Sequence, residues 1–378
     1  MRVLKTFAVI VSVALMSACK APQTASTFTP TTGSGTPGGP NLTAPAPDSP
    51  ADDVQMDTLR PTLTVRNGTS DQPSGSRTYE FQISDRSDFL ISGNAYYATY
   101  VIADTATGIP EGSGGKTSYT PSKDLQPSTQ LFWRARVVQG TSLSDWSSPW
   151  RVRTKITGYN RPGELYDTLV SGSSIGAITG STTWMGADGI KLNTQDSFVS
   201  YTLAQTLTSG EISVEVKGLS PNNPSGPKLK IFSMMDGSSN LFASSYLFNV
   251  QYRGAPGNPD NAISFKALYG GAQTEPNLGQ RAAGVRILDP NITYFFKALW
   301  SSSVQVIVQQ GIGGATIYDM ALPATGTYNP TPHIAVLGAN RGGTTIEDGT
   351  YPGAIYRNFF VGNKPRPTSL GSAITAAR

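Results

Sequence analysis

The chain has 378 residues, with 40 Gly, 27 Pro, 38 % hydrophobic and only 14 % charged residues. Runs of Ala, Leu, Glu and Lys at helical spacing are missing, so the balance argues against a helical bundle and suits an all-β extracellular protein with many turns. The net charge of +4 is spread along the chain with no basic cluster, which excludes nucleic-acid binding through phosphate neutralisation.

The first element is a leader. Residues 1–19 read MRVLKTFAVIVSVALMSAC, with Arg2 and Lys5 ahead of an apolar stretch from Phe7 to Met16. That stretch has the length of a signal-peptide core and falls short of a membrane span. Ser17 and Ala18 lead into Cys19, the single cysteine of the chain, so no intramolecular disulfide can form. The Ser-Ala-Cys ending resembles the lipobox of bacterial lipoproteins, with Met16 where Leu is common. The resemblance implies lipidation of Cys19, cleavage in front of it and anchoring by several acyl chains. Lys20, in place of Asp, implies by the same resemblance a place in the cell envelope at the outer membrane or cell surface.

Residues 20–58 are dominated by Pro, Thr, Gly, Ser and Ala. Such a segment buries too little apolar surface to offset its ordering entropy, and it reads as a disordered tether. Residues 59–155 alternate in short strands between turn clusters. Tyr79, Phe81 and Ile83 share one face of a strand. Leu131, Trp133, Ala135 and Val137 share one face of another, with Phe132, Arg134 and Arg136 opposite. The segments EFQISDRSDF, SYTPSKDLQPSTQLFWRARV and WSSPWRVRT resemble a fibronectin type III or related immunoglobulin-like module. The resemblance implies a small β-sandwich used as a spacer or docking unit.

Residues 156–364 carry about ten further strands, a number that suggests a double-sheet jelly roll. One stretch, LGQRAAGVRIL (278–288), reads as one or two helical turns. Residues 365–378 read as a flexible tail. GEISVEVKG, TYFFKALWSSSVQVIVQQG and GAIYRNFFVGN resemble strands of the concanavalin A-like, or laminin-G-like, superfamily. The fold class expected is thus all-β: a fibronectin III-like sandwich followed by a concanavalin A-like one.

Three chemistries fit this second unit. In GEISVEV, Glu211, Ser213 and Glu215 fall at i, i+2 and i+4, on one face of a strand. Paired carboxylates can flank a glycosidic bond. The motif resembles the Glu-x-Asp-x-Glu of laminarinase-type hydrolases, which implies Glu211 as nucleophile and Glu215 as acid/base, with Ser213 in place of the central Asp. A second chemistry is uronate lysis. SFKALYG and YFFKALW resemble a strand of jelly-roll alginate lyases, which implies Lys266 and Lys297 as charge-neutralising groups and Tyr269 as proton donor. His333 is the sole histidine and the side chain tuned to accept a proton near neutral pH; the Gln-x-His strand of that family is missing. The third chemistry is binding alone. Asn249, Gln251 and Arg253, then Lys266, Lys297, Gln305 and Gln309, offer amides and cations on outward strand positions, suited to polysaccharide hydroxyls and acidic groups or to a partner protein. Tyr252 and Tyr269 fall on the apolar side. The absence of an intact acid/base motif favours binding over catalysis. No organic cofactor is implied. Asp236, Asp260 and Asp348 lie in loops where laminin-G-like domains often hold a structural calcium.

Overall fold

The computed structural model describes residues 38–89, 104–170, 172–221, 229–235, 246–253, 261–267, 281–323, 333–339 and 349–376. The leader, Cys19, Tyr269, Asp236, Asp260 and Asp348 lie outside the described residues, as does the side chain of Arg253. Among the described residues no helix is long and apolar enough to cross a membrane.

Two β-sandwiches follow one another, in agreement with the expected all-β class. The first contains β1 (Ala46–Ser49), β2 (Val54–Gln55), β3 (Leu63–Arg66), β4 (Thr78–Ser84), β5 (Asp104–Pro110), β6 (Lys116–Tyr119), β7 (Gln130–Gln139), β8 (Ser142–Leu143) and β9 (Trp150–Arg153). One sheet has the order β1-β3-β6, the other β2-β9-β7-β4-β5 with β8 beside β7. Alternation does the folding. Tyr79, Phe81, Ile83, Leu131, Trp133, Ala135 and Val137 all turn into one core with Leu63, Val65 and Val152. On the other face of β7, the guanidinium groups of Arg134 and Arg136 stack on Trp146 at 4.4 and 4.5 Å, a cation–π arrangement that covers the aromatic ring.

The tether reading fails over its last part. Residues 46–49 pair with β3, and β2 runs parallel to β9. Asp48 accepts bonds from Arg66 and Lys116, each at 2.8 Å. These edge strands supply ladder hydrogen bonds and little burial, so hydrophobic patterning passes them over.

The second sandwich contains β10 (Tyr159–Arg161), β11 (Glu164–Asp167), β12 (Ala177–Thr179), β13 (Thr182–Trp184), β14 (Ile190–Leu192), β15 (Phe198–Thr202), β16 (Gly210–Lys217), β17 (Leu229–Met235), β18 (Tyr246–Arg253), β19 (Ala262–Ala267), β20 (Arg281–Val285), β21 (Tyr294–Trp300), β22 (Ser303–Gln310), β23 (Thr316–Pro323), β24 (Ile334–Leu337) and β25 (Ile355–Gly362). One sheet runs β10-β11-β25-β16-β21-β22-β23, with β14 also on β25 and β13 on β14; the other runs β12-β15-β24-β17-β18-β19-β20. They are called here the β16 sheet and the β18 sheet. Their inner faces share one core that includes Ile212, Val214, Val216, Phe232, Phe248, Val250, Phe265, Phe296, Val306 and Tyr356. Residues 281–285, expected as a helical turn, form β20 on the edge of β19: pairing to an available strand edge overrides the local propensity of Ala-Ala-Gly.

The last residues are not a loose tail. Leu370, Ala373 and Ile374 are buried, and a short helix α1 (Ser372–Ala376) closes the segment. Thr129 and Leu370 form a β-bridge. The Gln130 N–H donates to Ser372 Oγ at 2.8 Å, and the Ala373 N–H to Ser128 O at 3.2 Å. The segment that leaves β25 therefore runs back over the first sandwich and joins the two units.

Candidate functional site

On β18, Phe248, Val250 and Tyr252 turn into the core, so Asn249 and Gln251 face outward. The ladder continues this polarity across three strands. Lys230 on β17, Gln251 on β18 and Ser264 on β19 stand opposite one another, and so do Ser233, Asn249 and Lys266. Arg253 ends β18, opposite Ala262. The Lys230 ammonium donates to Gln251 Oε1 at 3.3 Å, and Gln251 Nε2 donates to Ser264 Oγ at 2.8 Å. Ser233, Gln251 and Ser264 are 0 % exposed and Asn249 is 4 % exposed. Two atoms of this buried floor, Ser233 Oγ and Asn249 Oδ1, have no hydrogen-bond partner. A buried orphan of this kind costs roughly 1–3 kcal/mol when nothing completes it, and an ordered water or a ligand group completes it. Beside the polar rows lies a small apolar shelf of Met235 and Val336, flanked by half-buried Phe198 and Ile334. Donors, acceptors and one aromatic ring thus share the face of the β18 sheet that points away from the core, with the polar floor itself buried and Lys266, Phe198 and Ile334 half-buried around it.

The structure divides the residues singled out from the sequence. Gln251 and Lys266 belong to that face, while the side chain of Arg253 lies outside the described residues. Lys297 does not: it sits on β21 in the other sheet, in register with Ser213. Gln305 and Gln309, on β22, belong to that sheet as well. His333 precedes β24, its N–H bonded to Met235 O at 3.0 Å and its carbonyl accepting from Leu203 N–H at 2.7 Å. β17 and β18 lie between β24 and the strand that carries Lys266, so His333 and Lys266 do not meet as a lyase pair would.

Glu211, Ser213 and Glu215 do share one face of β16, opposite Ile212, Val214 and Val216. That face is covered. Glu215 is 4 % exposed. Its Oε2 accepts from Arg357 at 2.6 Å (Nη2) and 2.7 Å (Nε), and its Oε1 accepts from Asn358 Nδ2 at 2.7 Å. Asn358 sits at φ 54°, where the β16–β25 register shifts. This bulge lets Arg357 and Asn358 address one carboxylate together. Asn358 Oδ1 also accepts from Tyr166 OH at 2.6 Å. Arg366 then ties the returning segment down, donating to the carbonyls of Asn358 (2.9 Å) and Leu370 (2.7 Å).

Glu211 lies at one end of this cluster, in a cleft of about 270 Å³ lined by Phe295, Lys297, Gln309, Ile312, Pro365 and Arg366 among others. Its Oε2 accepts the Arg366 N–H at 3.3 Å. Burial pushes its carboxyl up, against the opposing pull of the Ser213 hydroxyl, the Lys297 ammonium and the Arg366 N–H. A carboxyl raised in the fold binds its proton more tightly there than in the unfolded chain. Its contribution to stability is therefore largest below the unfolded value of about 4.3 and declines as pH rises through the raised folded value. Glu211→Gln is expected to melt higher than the wild type at pH 7.5 and to converge with it near pH 4. Thermal melts across that range check this; a variant that melts lower at pH 7.5 would show that the charged form is the one the fold favours.

Sequence reading passed over Lys230, Ser233 and Ser264. The register that aligns Lys230 with Gln251 was the missing signal, and a bulge between Lys230 and Phe232 hides it from simple alternation. Among the described residues no group of three or more His, Cys, Asp or Glu is arranged to hold a metal ion.

No family model matches the chain, and no curated protein matches it. Among solved structures, the exoplasmic/lumenal domain of VIP36 in its Ca²⁺-bound form is similar over 56 % of this chain and 95 % of its own, with 14 % identity and a TM-score of 0.35. The FN1–FN3 domains of chicken CNTN1 are similar over 75 % of this chain and 99 % of their own, with 13 % identity and a TM-score of 0.24. A GH54 α-L-arabinofuranosidase mutant is similar over 70 % of this chain and 57 % of its own, with 12 % identity and a TM-score of 0.29. At these identities and TM-scores they are distant likenesses.

Proposed function

We propose that this chain binds extracellular polysaccharide without cleaving it, through the outward face of the β18 sheet, and that a lipidated Cys19 holds it in the cell envelope, at the outer membrane or cell surface. The observation that carries the reading is the buried polar floor Lys230–Gln251–Ser264 and Ser233–Asn249–Lys266, with its two orphan oxygens beside an apolar shelf. A sugar hydroxyl both donates and accepts, which suits Ser233 Oγ and Asn249 Oδ1, whose residues stand opposite each other on neighbouring strands. The C–H faces of a sugar ring suit Phe198 and its aliphatic neighbours. The engagement of Glu215 with Arg357 and Asn358 favours binding over hydrolysis, because both of its carboxyl oxygens are already taken up by buried partners within the fold.

A glycan array probed with the full chain, paired with turnover assays on uronate polymers and β-glucans, tests this. The expected result is retention on at least one polysaccharide with no product formed. Release of unsaturated or reducing-end products would replace binding with catalysis, and failure to retain any glycan would remove the carbohydrate reading.

A further inference from the structure

The first sandwich carries a charged face of its own. Alternation along β7 turns Leu131, Trp133, Ala135 and Val137 into the core, so Phe132, Arg134 and Arg136 stand on the opposite side. There Arg136 is in register with Glu80 and Arg134 with Gln82 on β4, and Gln82 is in register with Thr105 on β5. The guanidinium groups around Arg134 are paired with acids: Arg136 with Glu80 at 2.6 Å, Arg151 with Asp52 at 2.9 Å, Arg153 with Asp53, and Arg86 with Asp88. Arg134 has no acidic partner among the described residues; its side-chain bonds go to Gln82.

Arg134 is nonetheless held in place. It is half-buried, and its guanidinium lies 4.1 Å from the ring centre of Phe89 and 4.4 Å from that of Trp146. Its Nε and Nη2 donate to Gln82 Oε1 at 3.0 and 2.8 Å. Burial, and after it the charge of Arg136, makes its proton easier to lose than that of an ordinary arginine, and no acid pulls the other way. Gln82 engages two of the five N–H donors of a guanidinium. The remaining edge, between Nη1 and Nη2, offers a parallel pair of donors in the guanidinium plane.

These features select a ligand chemistry. A cation is repelled by Arg134 and Arg136. A neutral sugar leaves the charge of Arg134 without a counter-charge. A carboxylate supplies that charge, and its two oxygens match a parallel pair of N–H groups. Phe132 and Trp146, both half-buried, add ring surface beside it that suits the C–H face of a sugar. We propose that Arg134, fixed by Gln82 and Trp146, is a carboxylate-binding site on the first sandwich, and that the carboxylate belongs to a uronate unit of an acidic polysaccharide. A uronate as ligand rests on the polysaccharide reading given above, while the site lies on a different sandwich from the β18 face.

The test is calorimetric titration of the full chain with tetragalacturonate, with its fully methyl-esterified form and with poly-L-glutamate. Tetragalacturonate is expected to bind with a Kd on the order of 1 mM or tighter at low salt, and more weakly as NaCl is raised. The methyl ester and Arg134→Leu are each expected to weaken binding about tenfold or more, because each removes a charge-assisted hydrogen bond. Arg134→Lys keeps the charge and loses the planar fork, so it is expected to recover only a small part. The loss caused by Arg134→Leu is expected to be the same in a Ser233→Ala background, which separates failure here from failure of the β18 site. Melting curves confirm that the variants fold; should Arg134→Leu not fold, Arg134→Gln and Arg134→Lys carry the same comparison. Four results would overturn the proposal: no heat with tetragalacturonate, equal affinity for its methyl ester, wild-type affinity in the Arg134 variants, or binding of poly-L-glutamate that is as tight and depends on Arg134 to the same degree.

Discussion

Replacing Glu215 with alanine is expected to lower the unfolding free energy by about 3–5 kcal/mol. The carboxylate and Arg357 have side-chain exposures of 5 % and 8 % and are joined at 2.6 Å. Removal of the acid leaves a buried guanidinium that still donates to the carbonyl of Ala187 at 3.2 Å but has lost its counter-charge. It also strips Asn358 Nδ2 of its acceptor. The bulge at Asn358 anchors Arg366, and Arg366 anchors the C-terminal segment, so the damage is expected to spread to the joint between the sandwiches. The double variant Glu215→Leu with Arg357→Met removes both charges and is expected to recover a large part of the loss, since a buried ion pair contributes little beyond an apolar pair of similar volume. Urea unfolding of the three proteins checks both statements. A loss below about 1 kcal/mol for Glu215→Ala would mean that the pair is solvated.

The second large effect concerns ligand. Ser233→Ala removes an orphan hydroxyl and breaks no hydrogen bond, so the variant is expected to be as stable as the wild type or more stable by about 1 kcal/mol. Asn249→Ala gives up the orphan amide oxygen and some packing volume. Both are expected to weaken polysaccharide binding by about tenfold or more. A polar floor with a purely structural role gives the opposite pattern, a change in stability with binding intact.

Much of this arrangement was legible in the residues. Alternation placed Trp133 and its neighbours in one core, and set Glu211, Ser213 and Glu215 on one strand face and Asn249 and Gln251 on another. The covering of the Glu face was not legible. It depends on a bulge in β25 and on a segment with few apolar residues, KPRPTSLGSAIT, returning over both units, and neither leaves a periodic signal. Lys297 looked like a partner of Lys266 because their strands read alike, FKAL in both. Strand order puts them on different sheets, and order is a tertiary property. The edge strands of residues 46–55 were missed for a third reason: their contribution is backbone pairing, which side-chain composition does not report.

Hydrogen–deuterium exchange of the full chain, with and without the oligosaccharide that the glycan array selects, tests the proposed site most directly. Added protection concentrated in residues 229–235, 247–253 and 261–267, and lost in Ser233→Ala, is the expected result. Protection confined to the cleft beside Glu211 and Lys297, or none in these three strands, would contradict a binding face on the β18 sheet.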